Sequence, residues 1–234
     1  MWVQPLVFNK SLNALEAEMH YSTFLNTKTR KNPHTFWKAR DVEHLTAAQK
    51  DSIAEGISEL EGQVWEPIMG RWNLQGKADF LSTLQHHRDV IVAVSYESPD
   101  QKFTGPYLSY IIGYEIDIDE GIHDDEIELL EEFTGRSYGD ILQEIPSHKI
   151  FYFEDYSRLP TDQAKNENAQ MAQEVLRYMR SEGIGFYGDF RSSTSYRLLN
   201  TRYRDAVTVL VDQEHRNYYA QGEHMHSIVG YFRR

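Results

Sequence analysis

The chain has 234 residues, 40% of them hydrophobic and 13% aromatic, which is enough for one domain with a substantial core and argues against disorder despite a mean hydropathy of −0.61. The absence of cysteine excludes disulfides, thiolate nucleophiles and cysteine-ligated zinc, and fits a reducing compartment. The formal charge of −12 argues against a nucleic-acid partner.

In chain order, residues 1–33 read as an extension, with a helix over Ser11 to Phe24 (Leu12, Leu15 and Met19 at helical spacing) and a basic turn at Lys28, Arg30 and Lys31. No apolar run with a small-residue cleavage site precedes Trp37 and no window approaches a membrane span, so the expectation is a cytoplasmic protein without a membrane partner. Residues 34–234 then read as one domain. Phe36 to Ala39 reads as a first strand, Thr46 opens a helix carrying Ile53, Ile57 and Leu60, and Ala78 to Gln85 forms a short second helix. Val90 to Tyr96 is a β-branched run, and Tyr107 to Ile118 alternates apolar residues, so the two are expected to form a hairpin.

An acidic insertion follows at about 115–147. Between Lys102 and Arg136 there is no Lys or Arg, while Glu115, Asp117, Asp119, Glu120, Asp124, Asp125, Glu126, Glu128, Glu131 and Glu132 supply ten acids. Such a run reads either as a solvated loop and helix face or as a field that draws in a cationic substrate. Lys149 to Tyr156 is strand-like and ends at Pro160. Asn168 to Ser181 is a helix with Met171, Val175, Leu176 and Met179 on one face, and Gly183 stops it. Gly185 to Phe190 is a strand, Ser193 to Tyr203 a short helix, and Ala206 to Val211 with Met225 to Phe232 a closing pair of strands. This mixture is expected to build an α/β fold with a central mixed sheet and helices on both faces.

The element order, with Asp155-Tyr-Ser-Arg-Leu-Pro160-Thr-Asp-Gln163-Ala-Lys-Asn166-Glu-Asn168, resembles the GNAT acyltransferase superfamily from Phe36 to the C-terminus. Pro160 and Gln163 stand where that family places them at the end of a strand and the opening of a long helix; Ala164, Asn166 and Asn168 stand in place of its loop glycines. Arg191-Ser-Ser193 falls at the family's next strand-to-helix step. The resemblance implies a GNAT-like domain that uses acetyl-CoA as co-substrate and needs no metal. It assigns cofactor contacts to Ser157, Arg158, Gln163, Ala164, Lys165, Asn166, Glu167, Asn168 and Asn200. Asn200 occupies the position of a tyrosine that in many relatives protonates the leaving thiolate, and Tyr196 and Tyr203, near it on the expected helix face, are the candidates for that role.

The implied reaction is direct attack of a primary amine, on a cationic acceptor, at the thioester carbonyl. It needs a base, and Glu154, Asp155 and Glu115 are the carboxylates at hand. Strand alternation predicts that Glu154 and Asp155 face opposite ways, and Glu154 is the favoured base. Backbone N–H groups near Ser157 and Arg158 would meet the oxyanion. Two rival readings use the same residues: an inactive relative that binds a basic protein or peptide, and an acyltransferase with a different acyl carrier. Homodimerisation is left open. Gly183-Ile-Gly185-Phe-Tyr-Gly188 has the dinucleotide-loop spacing but runs from a helix into a strand, the reverse of the required context. His224 and His226 share a strand face with Glu223 and His215 nearby, without a third placed metal ligand.

Overall fold

The computed structural model describes residues 34–69, 74–87, 89–116, 124–191, 195–201, 203–216 and 224–233; the N-terminal extension and its expected helix lie outside them. The described residues form a seven-stranded sheet: β1 (His34–Trp37), β2 (Ile91–Tyr96), β3 (Tyr107–Glu115), β4 (Ile150–Arg158), β5 (Gly185–Arg191), β6 (Val207–Arg216) and β7 (His224–Phe232), in the order β1-β2-β3-β4-β5-β7-β6. Every neighbouring pair is antiparallel except β4–β5, which is parallel. The helices are α1 (Ala39–Glu43), α2 (Ala47–Met69), α3 (Lys77–His86), α4 (Asp124–Thr134), α5 (Tyr138–Glu144), α6 (Asp162–Glu182) and α7 (Ser195–Thr201). No described helix is long and apolar enough to cross a membrane.

Both faces of the sheet are covered, as the mixed element order implied. On one face Ile53, Ala54, Ile57 and Leu60 of α2 with Phe80 and Leu84 of α3 pack on Val92, Val94, Tyr110 and Ile112. The same face continues under α4 and α5 through Leu130, Tyr138, Ile141 and Ile145, which pack against Tyr187 and Val229, so the acidic segment contributes core residues as well as charge. On the opposite face Met171, Val175 and Met179 of α6 close over Ile91, Ala93, Ile111, Phe151 and Phe186. Each such side chain withdrawn from water contributes roughly 1.5–3 kcal/mol, which is why β2, sandwiched between two helix layers, is apolar on both sides.

Local signals set the helix ends. Thr46 and Gln49 cap the start of α2 reciprocally: the Thr46 N–H donates to Gln49 Oε1 at 2.9 Å and the Gln49 N–H to Thr46 Oγ1 at 3.3 Å. At the far end of α6, Gly183 adopts φ 73°, the left-handed conformation that glycine adopts without cost, and the Ile184 N–H donates to the Met179 carbonyl at 2.9 Å. The start of α6 departs from expectation. It begins at Asp162 instead of Asn168, because the Thr161 hydroxyl accepts from the Ala164 N–H at 3.1 Å and caps the chain immediately after Pro160. The first strand likewise ends at Trp37 instead of running to Ala39, where α1 begins.

The β2–β3, β3–β4 and β6–β7 ladders each contain a register shift, and the one between β3 and β4 shapes the rest. Ile112 pairs with Asp155 and Tyr114 with Tyr152, two steps along β3 against three along β4, so β4 carries one extra residue. Gly113 is the β3 residue at this step, and a Cβ placed there would sit 2.5 Å from the Tyr152 carbonyl oxygen. Gly113→Ala is therefore expected to lower stability by roughly 1–3 kcal/mol in urea unfolding, since backbone must give way; an unchanged midpoint would show that the two strands are not held at this spacing.

Candidate active site

The extra residue in β4 overturns the expectation that Glu154 and Asp155 face opposite ways. Both turn toward α2 and α3. Glu154 is half-buried, with its Oε2 covered, and its Oε1 accepts from the Thr83 hydroxyl of α3 at 3.0 Å. Asp155 Oδ2 accepts from the Tyr110 hydroxyl, and its Oδ1 from the Tyr156 N–H at 2.6 Å. Tyr110 stands edge-on to Phe80 of α3, with ring centroids 6.1 Å apart, which fixes the side of the sheet on which this hydroxyl lies.

A third carboxylate joins them from α2. Glu61 is 5% exposed, and its Oε1 accepts from the Gln75 N–H at 3.0 Å, while the Gln75 side chain also reaches Glu154. Burial pushes both Glu61 and Glu154 up to about 7, and the neighbouring carboxylates add to the shift. Burial also raises Asp155, against the lowering effect of its Tyr110 hydrogen bond. Glu61 was not among the residues singled out from sequence. It falls on the buried stripe of α2 with Ala54, Ile57 and Leu60, so a carboxylate at a position where helical spacing asks for an apolar residue was the signal available. Glu115 stands apart: it pairs across from Phe151, holds Lys149 Nζ at 2.6 Å, and is raised to about 7 mainly by burial and Asp89.

Immediately beside this cluster the sheet opens. The β4–β5 ladder stops at Tyr152 and Tyr187, and Gly188 lies against Phe153, where an added Cβ would meet the Phe153 Cβ at 3.3 Å. Beyond that point β4 runs on to Arg158 and β5 to Arg191 without pairing to each other. A β-strand whose edge is released inside a sheet offers its N–H and C=O groups to an extended ligand. The mouth of this gap is the start of α6, whose first-turn N–H groups lack intrahelical acceptors by geometry and carry the positive end of the helix dipole.

The residues standing in place of loop glycines do not crowd that mouth. Ala164 and Asn168 lie one turn apart on the buried side of α6, and Asn168 Nδ2 donates to the Tyr156 hydroxyl at 2.9 Å. Gln163 and Asn166 are exposed, Lys165 is half-buried, and Glu167 lies 3.9 Å from His34 Nδ1, the ring whose Nε2 meets Glu174 at 3.1 Å. Ser157 is buried, while the Arg158 guanidinium donates to the Leu159 carbonyl at 3.3 Å. Asn200 is exposed near the end of α7, the helix that also carries Tyr196. Tyr203 follows α7 instead of lying on it, and stands edge-on to Phe232 with centroids 6.3 Å apart. Arg191 ends β5, whereas Ser193 lies outside the described residues. His224 and His226 each face a carboxylate, Glu214 at 2.9 Å and Asp212 at 2.7 Å.

No protein-family model and no curated protein matches the chain. Among solved structures, it is similar to Arabidopsis thaliana NAA60 in complex with acetyl-CoA, at 10% identity over 85% of this chain and 98% of that one, with a TM-score of 0.48. NAA60 in complex with a bisubstrate analogue matches at 12% identity over 86% and 98%, with a TM-score of 0.47.

The raised Glu154 makes a stability prediction. Its folded value lies above the unfolded one of 4.5, so the contribution is fully present below about 4.5 and is lost as pH rises through about 7. Neutral, isosteric Glu154→Gln is expected to be more stable than the parent by roughly 1–3 kcal/mol at pH 8, and this advantage should shrink toward pH 5. Urea unfolding at the two pH values checks it; an equal difference at both would mean that no buried charge is being carried.

Proposed function

We propose that this chain is an N-acyltransferase of the GNAT superfamily that carries an acetyl group from acetyl-CoA to a primary amine on a cationic acceptor. The observation that carries the reading is a half-buried carboxylate raised to about 7, Glu154, on the stretch of β4 that has just parted from β5. A base of that kind is half-ionised at working pH, which is where proton transfer is most effective.

The acyl donor suits the gap in shape and in polarity. The released edge of β4 would take its extended arm as a further strand, with Ser157 and Arg158 alongside. The first turn of α6, with Gln163, Lys165 and Asn166 at its rim, would take its phosphates, and Asp162 in the same turn weakens that attraction. Ala164 and Asn168 face the sheet and leave this approach open; Glu167 and Asn200 would add the remaining contacts. Acetyl-CoA supplies an activated thioester; everything else falls to the chain. Glu154 accepts a proton from the acceptor's ammonium group, freeing the nitrogen lone pair to form the C–N bond as the C–S bond breaks. Backbone N–H groups of β4 near Ser157 and Arg158 donate to the oxygen on which charge develops. Tyr196, on the helix that follows β5, returns a proton to the departing thiolate; Tyr203, packed on Phe232, is the less available of the two tyrosines. The acids carried by the segment around α4 add a field that draws in a cationic acceptor, screened beyond about 8 Å at physiological salt.

Millimolar acetyl-CoA is expected to stabilise the protein by a few kcal/mol in thermal unfolding, and no shift would remove the proposal. Glu154→Gln is expected to keep that shift while lowering kcat/KM for an amine acceptor by about 10²–10⁴-fold. The parent's rate should rise as pH passes through about 7, and the variant should lose that rise. Equal rates for the two proteins would dismiss Glu154 as the base.

A further inference from the structure

We propose that Glu61 of α2 and Glu154 of β4 form a single buried site for an unbranched alkylammonium group, in which Glu61 holds the nitrogen while Glu154 takes its proton. In calling that group the acceptor, the inference rests on the transferase reading; the site itself stands on the packing.

Four buried oxygens here have no hydrogen-bond partner: Glu61 Oε2, Gln75 Oε1, Glu154 Oε2 and Ser157 Oγ. Half of the described residues' buried polar atoms lacking partners are thus gathered around one stretch of β4 and the helices facing it. Gln75 ties the two glutamates together, with its N–H on Glu61 Oε1 and its side chain at Glu154. Ser157, 2% exposed, pairs in register with Tyr110, whose hydroxyl binds Asp155, so its Oγ lies on the same side of the sheet. All four oxygens accept hydrogen bonds, and a buried acceptor without a donor is costly. Among the described residues no Lys, Arg or His forms an ion pair with Glu61, Glu154 or Asp155, and the proposal supplies the donor as a cation from outside the chain.

The chemistry of that cation follows from the acceptors and the walls. No three His, Cys, Asp or Glu side chains among the described residues are close enough to ligate one metal ion. A primary ammonium, with three N–H donors, suits acceptors supplied by carboxylate, amide and hydroxyl oxygens from separate residues. Phe80, Leu84 and Tyr110 supply apolar and aromatic surface beside the carboxylates, suited to a methylene chain and to a cation near ring faces. Burial, helped by the neighbouring carboxylates, raises both glutamates to about 7, and the arrival of a cation would favour their ionised forms.

The test uses the full chain without acyl donor and n-butylammonium as the probe. Titration followed by the side-chain carboxyl ¹³C resonances should move two glutamate signals, which Glu61→Gln and Glu154→Gln assign. n-Butanol at the same concentrations should move neither. Each single variant should weaken binding about 10–100-fold, as expected for loss of a charged hydrogen-bond partner. In turnover, Glu61→Gln should raise KM for the amine far more than it lowers kcat, whereas Glu154→Gln should lower kcat as well as raise KM. Equal affinity of Glu61→Gln and the parent, or equal response to butanol and butylammonium, overturns the proposal. If Glu61→Gln does not fold, the parent's response to butylammonium against butanol and magnesium still decides it, a magnesium response being contrary. Failure of this site with intact acetyl-CoA stabilisation and transfer would leave the transferase reading standing; ammonium binding without acetyl-CoA binding would do the reverse.

Discussion

One surplus residue in β4, opposite Gly113, governs the geometry of this molecule. A bulge bends its strand and sharpens the local twist, and two consequences appear at once. The register with β3 shifts between Tyr152 and Asp155, and the ladder with β5 ends at Tyr152 and Tyr187. The same step that turns Glu154 and Asp155 onto one face is therefore the step at which the sheet parts. Gly113 permits it, since any side chain there would meet the carbonyl of Tyr152. The neighbouring β2–β3 ladder has its own register shift after Ser95, whose hydroxyl lies 2.6 Å from that of Ser109.

Around that step the molecule places charge where burial opposes it. Three carboxylates, one tyrosine hydroxyl and one threonine hydroxyl lie under α2 and α3, among side chains as apolar as Phe80 and Leu84. Desolvation is the largest cause of the shift in Glu61, Glu154 and Asp155 alike. A fold selected for stability alone would fill such a volume with Leu or Met. Retained buried acids mark places where stability is given up for chemistry. The helix over the opposite face shows the contrast: α6 meets the sheet through Met171, Val175 and Met179, with no carboxylate among these core contacts.

How far the sequence led depended on whether a residue's role was local. The β-branched run of β2, the alternating run of β3 and the helical stripe of α6 each report their own burial, and all three elements form there, though β3 ends at Glu115 and α6 starts six residues before the expected Asn168. Gln163 to Asn168 resemble a family loop, whereas the Thr161 hydroxyl caps the helix ahead of them. Glu154 was legible as a strand carboxylate, yet its partnership with Asp155 was not, since a bulge is a property of two strands and leaves no mark on either alone. Glu61 is the harder case. Its position on the α2 stripe shows only that a charge is buried; what it faces depends on Gln75 and on a strand some ninety residues away. Tyr203 seemed a helix-face neighbour of Asn200, but α7 ends at Thr201 and the ring turns to Phe232 instead.

The early start of α6 bears on how such a chain can change over time. Its mouth is formed by main chain alone, while Ala164 and Asn168 face inward and Gln163 and Asn166 face outward. Main-chain donors at a helix terminus ask little of the residues that carry them beyond willingness to be helical. Glycine is then dispensable at positions where a looped backbone would insist on it. The residues of this stretch can therefore change without altering the main-chain donors that the helix start presents.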